Sequence, residues 1–90
     1  MKDKVLIKLN VFEFDESFDV FIPVNEVLWK VKAMLVKCVS DLEFLPFNPR
    51  DEFVLLNKNN GHIYQNNDII INTDIRNGTE LVLMLKKAAQ

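Results

Sequence analysis

Residues 25–42, NEVLWKVKAMLVKCVSDL, are the only stretch of this chain whose apolar residues recur with the period of a helix. At about 100° per residue, Val27, Leu28, Val31, Met34, Leu35, Cys38, Val39 and Leu42 fall within an arc of roughly 140°. A stripe of that width has to be covered. Every other regular stretch has the period of a strand, so the cover is a single sheet. Asn25 reads as the N-cap, its side-chain oxygen accepting from a free amide of the first turn. Val24 and Trp29 then occupy the two positions of a hydrophobic staple, and Glu26 suits the positive end of the helix dipole. Nothing breaks the run before Pro46, which places its end near Leu42 to Leu45. The face opposite the stripe carries Trp29, Ala33, Val36 and Ser40 between Lys30 and Lys37, where an ordinary surface helix would be polar.

Ninety residues make one domain with one modest core, spanning 1–90 with a polar tail at 86–90 expected to fray. Half of the residues are hydrophobic and about a quarter charged, a globular balance. The net charge is −2 with the signs interspersed, so no basic stripe exists to hold a phosphate backbone and nucleic acid is not expected as a partner. No apolar run approaches the ~18 residues of a membrane span. The N-terminus lacks the small-residue cleavage site of a signal peptide, and a cytoplasmic location is expected. The lone cysteine, Cys38, lies on the stripe and is expected to be a buried structural thiol.

Along the chain, Val5, Ile7, Leu9 and Val11 alternate with Lys4, Lys8 and Asn10, Leu6 and Phe12 falling among the second set. That is a strand buried on one face. After a polar bend at 13–17, Phe18, Val20 and Ile22 alternate with Asp19 and Phe21 until Pro23 ends the ladder, giving an antiparallel hairpin. Residues 43–52 read as a loop in which Phe44, Leu45 and Phe47 plug the end of the core. Phe53–Leu56 is a short strand, 58–61 a turn, and His62–Tyr64 a brief return strand. Ile69–Ile71 is a buried connector. Asn77 and Gly78 supply the positive-φ positions of a last turn, and Leu81, Leu83 and Leu85 alternate with Val82 and Met84 in a final strand. The order β-β-α-β-β-β predicts an α+β fold of the β-grasp type, its helix packed across a mixed sheet whose first and last strands are parallel neighbours.

The stretch NDIIINTDIRNGTELVLMLKK, with Ile75 six residues ahead of Leu81 and then Leu83, resembles the end of ubiquitin-like domains. The hairpin KVLIKLNVF…SFDVFIPV and a helix after a proline match as well, so the resemblance spans nearly the whole chain. Within that superfamily the chain looks most like the YukD family, small bacterial ubiquitin-fold proteins associated with type VII (WXG-type) secretion in Gram-positive bacteria. An I-x-[ND]-G-[DT]-x-L ending is common there, and here it reads Ile75-Arg76-Asn77-Gly78-Thr79-Glu80-Leu81. The resemblance implies an accessory of secretion whose partners are proteins of that machinery. Conjugated modifiers and sulfur carriers, the alternative within the superfamily, need a terminal Gly-Gly. The sequence ends Lys86-Lys87-Ala88-Ala89-Gln90, which speaks against that chemistry.

No catalytic constellation is expected. Asp15 with Glu16, and Asp51 with Glu52, read as solvated pairs, and His62 as an exposed or hydrogen-bonded edge residue. One histidine and one cysteine give no metal spacing, each glycine has a turn to explain it, and no cofactor is expected. Two surfaces remain as candidate protein-binding sites. One is the helix back, Trp29, Ala33 and Val36, unless the 43–52 loop covers it or the helix is rotated so that Trp29 is core. The other is the outer sheet face, where Leu6, Val82 and Met84 lie beside Val54 or Leu56. The expected function is a non-catalytic interaction module that binds a protein partner or a second copy of itself.

Overall fold

The structure is a computed structural model that describes residues 3–43 and 52–86. Strand β1, Lys4–Val11, pairs antiparallel with β2, Glu16–Pro23, in an unbroken register from Lys4 opposite Pro23 to Val11 opposite Glu16. A single turn of 3-10 helix, Phe12–Phe14, joins them, and Asp15 closes it in the left-handed region at φ 51°. A polar aspartate tolerates that conformation where a branched residue would not. Helix α1 runs Leu28–Glu43. Strand β3, Glu52–Asn57, pairs antiparallel with β4, Glu80–Lys86, and β4 lies parallel to β1 through Lys8–Glu80 to Val11–Leu83. The sheet order β2-β1-β4-β3, with one helix across it, is the expected α+β β-grasp arrangement, first and last strands side by side at the centre.

Alternation along each strand puts Ile7, Leu9, Val11, Ile22, Phe53, Leu55, Leu81 and Leu83 on the inner face, all buried. From above they meet Leu28, Val31, Leu35 and Val39 of α1. Ile70 and Ile75, both fully enclosed, close the sides. This apolar burial is the dominant stabilising term.

Several expectations are corrected. The helix starts at Leu28, three residues after Asn25, which is therefore not its cap. Its first amides are taken by distant backbone instead, Leu28 N–H donating to the Asp68 carbonyl (2.7 Å) and Trp29 N–H to that of Asn66 (3.2 Å). With the start moved, Val24 and Trp29 no longer hold staple positions. Val24 pairs through its backbone with Asp3 and Ile71. Met34 and Leu42 are 39% and 54% exposed and Cys38 is exposed too, so none belongs to the core. The buried face is turned away from Met34 and Cys38, toward Lys32 and the half-buried Val36, while Leu42 shares the phase of Val31 and Leu35 and is exposed in the last turn of α1. The return strand at 62–64 is only an isolated bridge between Leu56 and Ile63, so among the described residues the sheet has four strands and not five. The 69–71 connector is a second 3-10 turn, Ile70–Asn72, with Ile70 buried but Ile71 53% exposed. Of Asn77 and Gly78 only the glycine has positive φ, at 87°. The expected plug of Phe44, Leu45 and Phe47 lies outside the described residues, as does most of the loop expected to cover Trp29.

Candidate functional site

The rotation of α1 leaves the back of the helix outside the core. Trp29 is 49% exposed and is not core. Its indole stands beside the Lys30 ammonium, which lies 5.5 Å from the ring centroid and also pairs with Glu26 at 3.4 Å. One turn further, Ala33 is exposed and Val36 half-buried, so the three helix-back residues share one wall. The opposite wall is the start of β3, Glu52, Phe53 and Val54, continued by Ile63 to Asn66. Between them runs an open groove of about 830 Å³. Lys32 spans its floor. Its Nζ donates to the Phe53 carbonyl at 2.8 Å, and the side chain is half-buried. Burial lowers the Lys32 pKa, with nearby Glu52 acting in the opposite sense and Lys86 in the same one. Lys37 and Lys86 stand at its rim, Lys37 paired with Asp41 at 3.3 Å and Lys86 with Glu52 at 3.8 Å. The groove thus mixes apolar side chains with the polar Ser40, Gln65 and Asn66, and its lysines outnumber its one carboxylate, on a chain of net charge −2.

The outer sheet face does not hold its three predicted residues together. Val82 and Met84 are half-buried beside Leu56 and Val54 through the β3–β4 register, and Ile63 extends this patch at 50% exposure. Leu6 is cut off from them. It sits opposite Phe21, and a charged row of Asp19, Lys8, Glu80 and Lys58 runs between the two areas. Phe21, 58% exposed, belongs with Leu6 and was not singled out by the sequence, although its place in the alternation marks it as outward.

A polar cluster at the end of β3 is the feature that the sequence reading missed altogether. Asn57 continues the inward alternation of Phe53 and Leu55 and is 7% exposed. Its Nδ2 donates to the Tyr64 hydroxyl (3.3 Å) and to Asp74 Oδ2 (3.4 Å), and its Oδ1 accepts from Asn59 N–H (2.8 Å). The Tyr64 hydroxyl donates to Asp74 Oδ1 at 2.5 Å. Burial, then the bond to Asp74, pushes Tyr64 up to about 12, while the same bond pulls Asp74 below the usual carboxylate range. Both shifts move away from neutral pH, which makes the pair a structural tie between β3 and the 73–78 loop. His62 stacks edge-on against Tyr64 at 5.0 Å. A polar residue in phase with an inward apolar alternation is the signal that would have pointed to this cluster. Asp15 and Glu16 are exposed, as is Glu52, while Asp51 lies outside the described residues. Among the described residues no group of three or more His, Cys, Asp or Glu could hold a metal ion, and no helix is long and apolar enough to cross a membrane.

No protein-family model matches the sequence, and no curated protein matches it. Solved structures do. A chain of the "MycP5-free ESX-5 inner membrane complex, State II" superposes with a TM-score of 0.78 at 16% identity, over 98% of this chain. This chain spans only 22% of the length of that one. The EccD5 ubiquitin-like domain from Mycobacterium xenopi superposes at 0.76 with 16% identity, covering 96% of this chain and 98% of that domain. A chain of the toluene 4-monooxygenase HD complex with the inhibitor 4-bromobenzoate reaches 0.74 at 7% identity, covering 92% and 99%. Likeness at such identities carries the architecture and leaves activity open, since one fold hosts unrelated functions. The chain has the ubiquitin-like β-grasp fold.

Proposed function

We propose that this chain is a non-catalytic, cytoplasmic protein-interaction module that serves a type VII secretion machinery, docking its partner in the groove between the back of α1 and β3. The exposed Trp29 carries this reading. A half-exposed indole on a groove wall, with Ala33 and Val36 beside it, is the kind of anchor on which interface energy concentrates. The resemblance to the YukD family supports the assignment to secretion. So does the likeness to an EccD5 ubiquitin-like domain and to a chain of the ESX-5 inner membrane complex. The divergent titration of Tyr64 and Asp74, and the lack of a convergent acid–base pair among the described residues, favour binding over chemistry.

The test is capture of secretion-machinery proteins from detergent-solubilised membranes of the native host on immobilised chain. Trp29→Glu should lose the captured set with the circular dichroism unchanged, while Leu42→Glu, on the other flank of α1, should keep it. Capture that survives Trp29→Glu, or a captured set without secretion components, overturns the proposal.

A further inference from the structure

Strand β2 ends the sheet on the side away from the groove, and its backbone polarity follows from the ladder. Lys8 N–H donates to the Thr79 carbonyl, and Leu6 exchanges with the 77–78 turn, its N–H to Asn77 Oδ1 and its carbonyl from Gly78 N–H. The even residues of β1 therefore face β4, and Val5, Ile7, Leu9 and Val11 face β2. Their partners Ile22, Val20, Phe18 and Glu16 spend their amides and carbonyls inward. Those of Ser17, Asp19 and Phe21 point out of the sheet, and no described residue bonds to them.

Natural edge strands are kept from pairing by lysines, bulges, inward charges or proline. This one has a regular eight-residue register, no lysine, a proline only at its last position, and a single mid-strand charge, Asp19, besides Glu16 at its start. Apolar surface flanks the open ladder on both faces. Outside lie Phe21 and Leu6, 58% and 38% exposed, and inside the half-buried Phe18 and Val20, packed against the core.

We infer that this edge is occupied by β2 of a second copy, antiparallel across a twofold axis, joining two sheets into one. A strand that docks here must offer an equally regular open ladder with its polar groups spaced to match Ser17, Asp19 and Phe21, and β2 offers its own across a twofold axis. Charge selects the register. Asp19 opposite Asp19 sets two carboxylates directly against each other, which opposes pairing. Moving one step, to Val20 on the axis, puts Asp19 opposite Phe21 of the partner and Phe18 opposite Ile22. It makes about six ladder bonds, the Ser17 amides reaching the Pro23 carbonyls. One step further, Pro23 faces Asp19 and withholds its donor, leaving about four. The Val20-centred register is the one that keeps the bonds and separates the carboxylates. Two short strands and their flanks bury less than a standard interface, so the dimer is weak and reversible.

Sedimentation velocity over a concentration series should show monomer passing into dimer. Phe21→Pro removes an outward N–H and leaves the β1 ladder intact, so it should stay monomeric, whereas Phe21→Leu should still dimerise. In a Cys38→Ser background, Val20→Cys should cross-link under oxidation, because a non-hydrogen-bonded pair on the axis has Cα atoms about 4.5 Å apart. Ser17→Cys, well off the axis, should not. Monomer at every concentration, as a strand from another protein would require, overturns the inference. So does a dimer that survives Phe21→Pro, or cross-linking of Ser17→Cys as readily as Val20→Cys.

Discussion

Replacing Tyr64 by phenylalanine tests the tie between β3 and the 73–78 loop, and the sequence supplies its own probe, since Tyr64 is the only tyrosine. The ring is 4% exposed and the hydroxyl lies at the rim, donating to an exposed carboxylate. A hydrogen bond to a charged group contributes about 1.5–3 kcal/mol, and solvent at Asp74 argues for the lower end. Linkage gives a different quantity, the stability lost between neutral and alkaline pH. Moving a phenol from 10 to about 12, by burial first and the bond to Asp74 second, corresponds to about 2.7 kcal/mol at most, and screening at the rim reduces this to about 1–2 kcal/mol. Because the folded value is raised, this stability is fully present below pH 10 and is lost as pH climbs from 10 through about 12. Asp74 has the opposite sign. Its folded value is depressed, so its contribution is present above 3.8 and disappears as pH falls through the lower folded value.

Urea unfolding at neutral pH should therefore place Tyr64→Phe about 1.5–2 kcal/mol below the parent. Between pH 10 and 12 the parent should lose stability relative to the variant, and the near-ultraviolet phenolate absorbance of the parent should titrate near 12. In Asp74→Asn the phenol should titrate closer to its ordinary value. Phenolate appearing near pH 10 without loss of stability would refute the reasoning. A cost under about 0.5 kcal/mol for Tyr64→Phe, the range of uninvolved surface positions, would do the same.

Leu35 is fully buried at the centre of α1, and Leu35→Ala should cost about 2–5 kcal/mol, read from the denaturant midpoint at unchanged slope. Gly78 has φ 87° with open space where a Cβ would go, so Gly78→Ala should cost about 1–2 kcal/mol from backbone conformation alone, and Gly78→Asn less. Cys38 is exposed, so a disulfide-exchange reagent should titrate one thiol per chain in the native state about as fast as in urea. Protection of that thiol at high protein concentration would place α1's outer flank in a self-contact.

The strand and helix periods were legible because each residue type reports its own local environment. Val5 to Val11, Leu81 to Leu85, and Leu28, Val31, Leu35 and Val39 all face the way their spacing requires. The rotation of α1 was not legible, since it depends on how far the sheet reaches beneath the helix. Met34 and Cys38 lie on the edge of the stripe away from β3, while the long stem of Lys32 reaches toward β3 and its ammonium ends on the Phe53 carbonyl. Hydropathy scores that lysine as surface although it is half-buried. The N-terminus of the helix failed for a related reason. A capping pattern sees only neighbours in sequence, and the acceptors for Leu28 and Trp29 come from residues 66 and 68. Of the candidate site residues, Trp29, Ala33 and Val36 share a groove wall, and Val82 and Met84 share a patch. Leu6 separates because β1 and β4 are parallel with an offset that aligns Val82 with Asn10, a fact about register that composition cannot carry.

The two ends of the sheet offer partners different physics, and that difference allows both to be used at once. At the β3 side the surface is side chains: an indole, small and branched apolar residues, and the lysines 32, 37 and 86. Binding there should gain from burial and from attraction to acidic groups, and should weaken as salt is added. At the β2 side the recognition elements are backbone donors and acceptors of Ser17, Asp19 and Phe21, with the nearest charge a carboxylate. Pairing there is nearly blind to salt, or strengthened by it as the two Asp19 carboxylates are screened. The two surfaces lie on opposite sides of α1, so a partner seated against Trp29 leaves the β2 ladder open. Opposite salt responses of partner capture and self-association would therefore distinguish two independent sites from a single surface with two occupants.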